Sequence, residues 1–119
     1  MKDVLELSLL LDYYGAFLTE NQRELIALSC EEDLSLSEIA EQKGISRQGV
    51  RDSIARGEKT LVEMENKLHL IERDEKLSAC IRAITGCAAA AAQGASGETA
   101  AALAEMQAHL QQLTDLLEV

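Results

Sequence analysis

The chain has 119 residues, a formal net charge of −10, 47% apolar residues, and neither proline nor tryptophan. That length holds one domain, or a domain with a tail, and abundant Leu, Ala and Glu without proline favours helix almost throughout, so an all-α fold is expected. The acidity argues against extended contact with a nucleic-acid backbone, because such affinity rests largely on neutralised phosphates, and leaves room only for a small, salt-sensitive contact.

Asp3 is placed to cap a first helix running to about Tyr14. Leu5, Leu9 and Tyr13 are imperfectly periodic, and Leu7, Leu10, Leu11 and Tyr14 widen the apolar face beyond one core contact. That width suggests burial on two sides, with a second subunit as one candidate cover. Gly15 reads as a stop signal. After Ala16-Phe17-Leu18, Thr19 and Gln22 form a capping box that opens a second helix to about Cys30. Glu31-Glu32-Asp33 interrupts the apolar pattern as a solvated loop.

The next stretch, Leu36 to Leu61, has the form of a helix-turn-helix. Ser35 and Glu38 make another capping box, Ile39 and Ala40 supply a short inward face, and Gly44 can take the positive φ of a tight turn. Ser46 caps the second helix, on which Val50, Ile54, Gly57 and Leu61 face inward at 100° per residue. Gln48, Asp52, Ala55 and Lys59 then point away, with Arg51 beside them. Between Ile45 and Lys59, four cations (Arg47, Arg51, Arg56, Lys59) stand against Asp52 and Glu58, a local excess of two positives. Ser46, Arg47, Gln48, Arg51 and Lys59 are therefore the candidate nucleic-acid-binding residues; Gln48 has the chemistry to pair with adenine, and Arg51 with guanine or phosphate. Asp52 in their midst would repel phosphate, and Gly49 offers no side chain while costing the helix about 1 kcal/mol.

Beyond Ile54 the helix continues through Leu61, Met64, Leu68 and Ile71 at steps of three and four. Glu72-Arg73-Asp74-Glu75-Lys76 marks a helix end or kink, and a short helix carrying Leu77, Cys80, Ile81 and Ile84 follows. Composition then shifts to an Ala/Gly-rich stretch, 86–97, that reads as a flexible or partly helical linker. Leu103, Met106, Leu110, Leu113 and Leu117 form an amphipathic stripe on a terminal helix, 98–119. The expected organisation is a helical domain over 1–85, the linker, and that helix.

Catalytic and metal chemistry finds no support. His69 and His109 lack ligands at recurring metal spacing, and no phosphate loop or nucleophile elbow occurs. Cys30, Cys80 and Cys87 are odd in number without Cys-x-x-Cys spacing, as expected of reduced thiols in a cytoplasmic protein. No signal peptide and no apolar run of membrane-spanning length are visible. No cofactor is expected, and an enzyme is not.

Glu38-Ile39-Ala40-Glu41 and Gly44-Ile45-Ser46, followed by Val50, Arg51, Ile54, Ala55, Arg56 and Leu61, resemble the helix-turn-helix with which sigma factors contact the minus-thirty-five element. The wider pattern, Leu10-Leu11-Asp12-Tyr13-Tyr14-Gly15, Leu18-Thr19-Glu20-Asn21-Gln22, Asp33-Leu34-Ser35-Leu36 and Lys67-Leu68-His69-Leu70, resembles the YlxM family of small bacterial proteins, over roughly Leu5 to Lys76. In that family a sigma-like helix-turn-helix is encoded beside components of the signal recognition particle. The resemblance implies an all-helical homodimer with an accessory or regulatory role in the particle's pathway, whose partners are the particle's GTPase or RNA. A sequence-specific DNA-binding regulator is the alternative. Net charge, Gly49 and Asp52 favour the first; the intact turn with Arg47, Gln48 and Arg51 favours the second.

Overall fold

The computed structural model describes residues 3–117. Six α-helices follow one another among these residues: α1 (Val4–Tyr14), α2 (Glu20–Cys30), α3 (Leu36–Lys43), α4 (Arg47–Leu68), α5 (Leu70–Ala92) and α6 (Gly97–Leu117), with one 3₁₀ turn over Gly15–Phe17. There is no strand among the described residues. The chain divides between Ile71 and Glu72 into two compact units.

In the first unit the helix starts are those dictated by side-chain caps. Asp3 accepts from the Glu6 N–H, and Thr19–Gln22 and Ser35–Glu38 form complete capping boxes. Each satisfies backbone donors that the first helical turn leaves open. Gly44 ends α3 at φ 68°, a left-handed conformation that costs a residue with a Cβ about 1–2 kcal/mol. Gly15 behaves differently from a left-handed stop: its φ is −57°, and it is buried against Leu11. The helix ends there by tightening into the 3₁₀ turn.

The core forms where α1, α2 and α3 pack on α4. Val50, Ile54, Gly57 and Leu61 are the buried positions of α4, the face that helical periodicity predicts. They meet Leu25 and Ile26 of α2, Ile39 of α3, and Leu7, Leu10, Leu11 and Tyr14 of α1. Gly57 is required by closeness: a Cβ there would lie 2.6 Å from Ile26 Cδ1. Lys43 Nζ donates to Glu24 Oε2 at 2.8 Å, an exposed pair joining α3 to α2 that holds the Glu24 carboxyl below its usual range. The broad apolar face of α1 is only partly used, since Leu5 and Leu9 are exposed.

The long helix breaks at His69, earlier than the charged run suggests. His69 takes φ 55°, and Glu72-Arg73-Asp74-Glu75-Lys76 lies within α5, where Lys76 pairs with Glu72 one turn away. The break is held by contacts remote in sequence. The Tyr14 hydroxyl donates to Glu65 Oε1 at 2.5 Å and accepts from the Leu70 N–H at 3.1 Å, while Glu65 Oε1 also accepts from the Ile71 N–H at 3.0 Å. A phenol and a carboxylate thus cap α5 in place of a neighbouring Ser or Asp.

The second unit consists of most of α5 and α6. Ile81 and Ala88 of α5 are buried with Leu110 of α6, and Leu117 packs against them, so the helices run antiparallel. Of the two expectations for the Ala-rich stretch, the partly helical one describes it: residues 86–92 continue α5, and Gly94 and Gly97 take positive φ in the connection. The short helix at Leu77 is accordingly part of a 23-residue one. The terminal helix is seen as far as Leu117; residues 118 and 119 lie outside the described residues. Its expected stripe splits, with Leu110 buried but Met106 and Leu113 exposed, because the inward line passes through Gln107 and Thr114 on either side of Leu110.

Candidate nucleic-acid interface

Ser35 and the capping box start α3, Gly44 turns the chain, and Ser46 starts α4, whose first turns bury Val50 and Ile54 and leave their outward face exposed. Arg47, Gln48 and Arg51 come together there and line one open hollow. All three are exposed, and neither Arg47 nor Arg51 has an ion pair or side-chain hydrogen bond among the described residues. Two guanidiniums one turn apart form a compact cationic spot suited to phosphate oxygens. Recognition helices of helix-turn-helix proteins direct their N-terminal residues at base edges in the major groove.

The remaining candidates fare differently. Ser46 Oγ accepts from the Gly49 N–H at 2.9 Å, so its hydroxyl is committed to the helix start. Lys59 is exposed on α4 but eight residues beyond Arg51, about 12 Å along the axis, in a separate shallow hollow with Glu58, Val62 and Glu63. Its surroundings are acidic. Gln48 Nε2 donates to Asp52 Oδ1 at 2.9 Å, a bond between positions four apart on one helix face. The amide therefore presents its oxygen outward until Asp52 is displaced. The four-residue spacing of Gln48 and Asp52 is the signal that could have shown this pairing in advance. Arg56, outside the candidate set, lies on the next turn with its Nε 3.4 Å from the Asp52 carbonyl oxygen.

Gly49 has a local reason: a Cβ there would stand 3.0 Å from Ser46 Oγ, the atom that caps the helix. No cluster of three or more His, Cys, Asp or Glu side chains suited to a metal ion occurs among the described residues. Among the described residues no helix is long and apolar enough to cross a membrane. The three cysteines are unpaired; burial, then the charges of Glu31 and Asp12, push the Cys30 thiol up, while Cys80 and Cys87 are exposed. The arrangement offers binding chemistry centred on Arg47 and Arg51.

Residues 1–96 match the family model UPF0122, described as "Putative helix-turn-helix protein, YlxM / p13 like". Among similar curated proteins, a UPF0122 protein of Desulforamulus reducens is 49% identical over 73 residues, 61% of this chain and 62% of that one. A UPF0122 protein of Clostridium botulinum is 47% identical over 73 residues, 61% of this chain and 67% of its own length. One from Symbiobacterium thermophilum is 46% identical over 76 residues, covering 64% and 71%. The chain thus spans slightly less than two thirds of the first of these relatives and slightly more of the other two.

Proposed function

Because the chain belongs to the UPF0122 family of YlxM / p13-like helix-turn-helix proteins, we propose that it is an accessory or regulatory protein of the signal recognition particle pathway, binding the particle's structured RNA through the start of α4. The pathway follows from the resemblance to YlxM proteins; the mode of contact rests on the geometry of α4. The observation that carries the proposal is the pair of exposed, unpartnered guanidiniums of Arg47 and Arg51 on a chain that is otherwise strongly acidic. Two such groups neutralise about two phosphates, which supports a short contact on a shaped RNA more than a tract along a duplex. Asp52 beside them narrows the contact further.

The test is anisotropy of labelled particle RNA with the full chain between 50 and 200 mM salt. With two phosphates engaged, affinity falls about tenfold over that range, and Arg51→Ala lowers the slope by about 1. RNA binding at low salt no stronger than that of an unrelated acidic helical protein would overturn the proposal, and capture of the particle's GTPase alone would move the contact to protein.

A second reading, a sequence-specific DNA-binding regulator, is favoured by one observation. The left-handed Gly44 and the cap at Ser46 leave Arg47, Gln48 and Arg51 where a recognition helix meets base edges. A protected site in footprinting of genomic fragments at low salt, lost in Gln48→Ala, supports it; absence of any footprint ends it.

A further inference from the structure

The start of α4 carries two lines of polar side chains. Arg47 and Arg51 make one; Gln48 and Asp52, each one residue later and turned about 100° around the helix, make the other. All four side chains are exposed. The first line offers donors only. The second offers acceptors only, and the bond within it is the reason. An ionised carboxylate can only accept, so the Gln48 amide turns its N–H to Asp52, at 2.9 Å, and leaves its carbonyl oxygen facing outward. Asp52 keeps acceptor capacity as well, because the amide uses one of about four lone-pair sites and Oδ2 has no partner among the described residues.

That pattern does not suit the pairing of Gln48 with adenine expected from its side chain, which needs an amide N–H and the carbonyl oxygen turned to the base together. Among unpaired bases it suits one. On the Watson–Crick edge, guanine sets two donors side by side, N1–H and the N2 amino group. Adenine and cytosine set a donor beside an acceptor, and uracil sets N3–H between two acceptors. Such edges are open to protein where RNA is looped or bulged, which is where sequence in RNA is read. The N1–C2–N2 edge of guanine is moreover the same planar N–H fork as a guanidinium, which a carboxylate binds with two parallel bonds.

We propose that Asp52 selects the RNA: its carboxylate accepts from N1–H and the N2 amino group of one unpaired guanosine, Gln48 holds that carboxylate in place, and Arg47 and Arg51 take the neighbouring phosphates. The inference rests on the RNA reading of the same site and deepens it. Gln48 is a positioning residue, because its bond removes side-chain freedom that binding would otherwise have to freeze. The assignment also accounts for a carboxylate inside a phosphate-binding spot. Its repulsion weakens every RNA, and the fork offsets that loss only where guanine is present, so a repulsive group yields specificity.

Competition against labelled particle RNA, read by anisotropy with the full chain at 50 mM salt, tests it. The competitors are RNA hairpins of one stem whose loops are all uridine, or uridine with a single guanosine, inosine, adenosine or cytidine. The guanosine loop is expected to bind about ten- to a hundredfold more tightly than the uridine loop, the discrimination of a good bidentate pair. Inosine keeps N1–H but lacks the N2 amino group, and should lose most of that preference. Asp52→Asn presents a donor beside an acceptor; it should abolish the preference and bind the uridine loop more tightly than wild type does, since a negative charge has left the phosphate site. Gln48→Ala should shrink the preference with an unchanged salt slope, and Arg51→Ala should weaken all loops alike. All three variants lie at exposed positions and should keep the helical circular dichroism of wild type. Guanosine and inosine loops bound equally, or an Asp52→Asn variant that tightens every loop by one factor, would overturn the inference and leave RNA binding standing. Binding of no hairpin and no particle RNA above an unrelated acidic helical protein would overturn the RNA reading, and this inference with it. A preference for cytosine in duplex DNA, whose N4 amino group is another donor that a carboxylate reads, would overturn it in favour of the DNA reading.

Discussion

Replacing Gly57 by alanine sets two effects of opposite sign against each other. A helix interior gains about 1 kcal/mol when glycine becomes alanine. The new Cβ, however, would lie 2.6 Å from Ile26 Cδ1 and 3.5 Å from Gln22 Cβ, and Ile26 is fully buried, so its terminal methyl has no solvent to turn into. Overpacking of that kind costs about 1–3 kcal/mol. Gly57→Ala is therefore expected to destabilise the chain by about 0–2 kcal/mol despite its better helix propensity. Ile26→Val removes the clashing methyl and by itself costs about 0.5–1.5 kcal/mol. In the double variant the alanine methyl enters the vacated space while the helix gain remains. Its stability should return to within about 1 kcal/mol of wild type, which corresponds to a favourable coupling of about 1–3 kcal/mol. Urea unfolding followed by circular dichroism on the four proteins gives each value by linear extrapolation. Additive effects, with coupling below about 0.5 kcal/mol, would refute the claim that the crossing of α2 and α4 requires the missing side chain.

Tyr14→Phe should cost about 1–3 kcal/mol in the same assay, because it leaves the Leu70 N–H without its acceptor and takes one donor from Glu65. Burial, then the hydrogen bond to Glu65, hold the Tyr14 phenol above its ordinary 10.0, so the unfolded chain loses this proton first. The advantage of Tyr over Phe is thus full below about pH 10 and shrinks as pH rises from there through the folded-state value; an advantage that grows in alkali would contradict this. Ser46→Ala should lower stability by about 1 kcal/mol through the lost cap, leave the salt slope of RNA binding unchanged, and be recovered by Ser46→Asn. Unchanged stability with a reduced salt slope would instead make Ser46 a contact residue.

Where structure follows from neighbouring residues, it was legible in the sequence. The boxes at Thr19–Gln22 and Ser35–Glu38, the turn at Gly44 and the buried line Val50, Ile54, Gly57, Leu61 all depend on spacings of three or four, and all appear in the fold. The break at His69 was not legible, because a non-glycine left-handed residue is held there by Tyr14, 55 positions away. The charged run after it looked like a terminus only because its charges surround the helix, and a helix end exposed to solvent tolerates the same pattern as a helix middle. Gly57 was visible as an inward position, but nothing in its own segment reveals that Ile26 crosses within a methyl's reach. In the candidate site, Arg47 and Arg51 were visible as cations on the outward face and Ser46 as a cap, whereas the pairing of Gln48 with Asp52, which their four-residue spacing permits, was not drawn from the sequence. The same holds for Lys59, whose charge was visible but not its acidic surroundings.

The bonds from Tyr14 and Glu65 to the first amides of α5 carry a consequence for cooperativity. First-turn amides of a helix ordinarily exchange with solvent as soon as the end frays. The Leu70 amide is held by Tyr14 of α1 and the Ile71 amide by Glu65 of α4, itself bonded to Tyr14, so the first opens only when α1 lifts from the core and the second only when Glu65 lets go. Fraying at the start of α5 is thereby coupled to the detachment of a helix more than fifty residues earlier, and protons at these two positions become a clock for the integrity of the whole first unit.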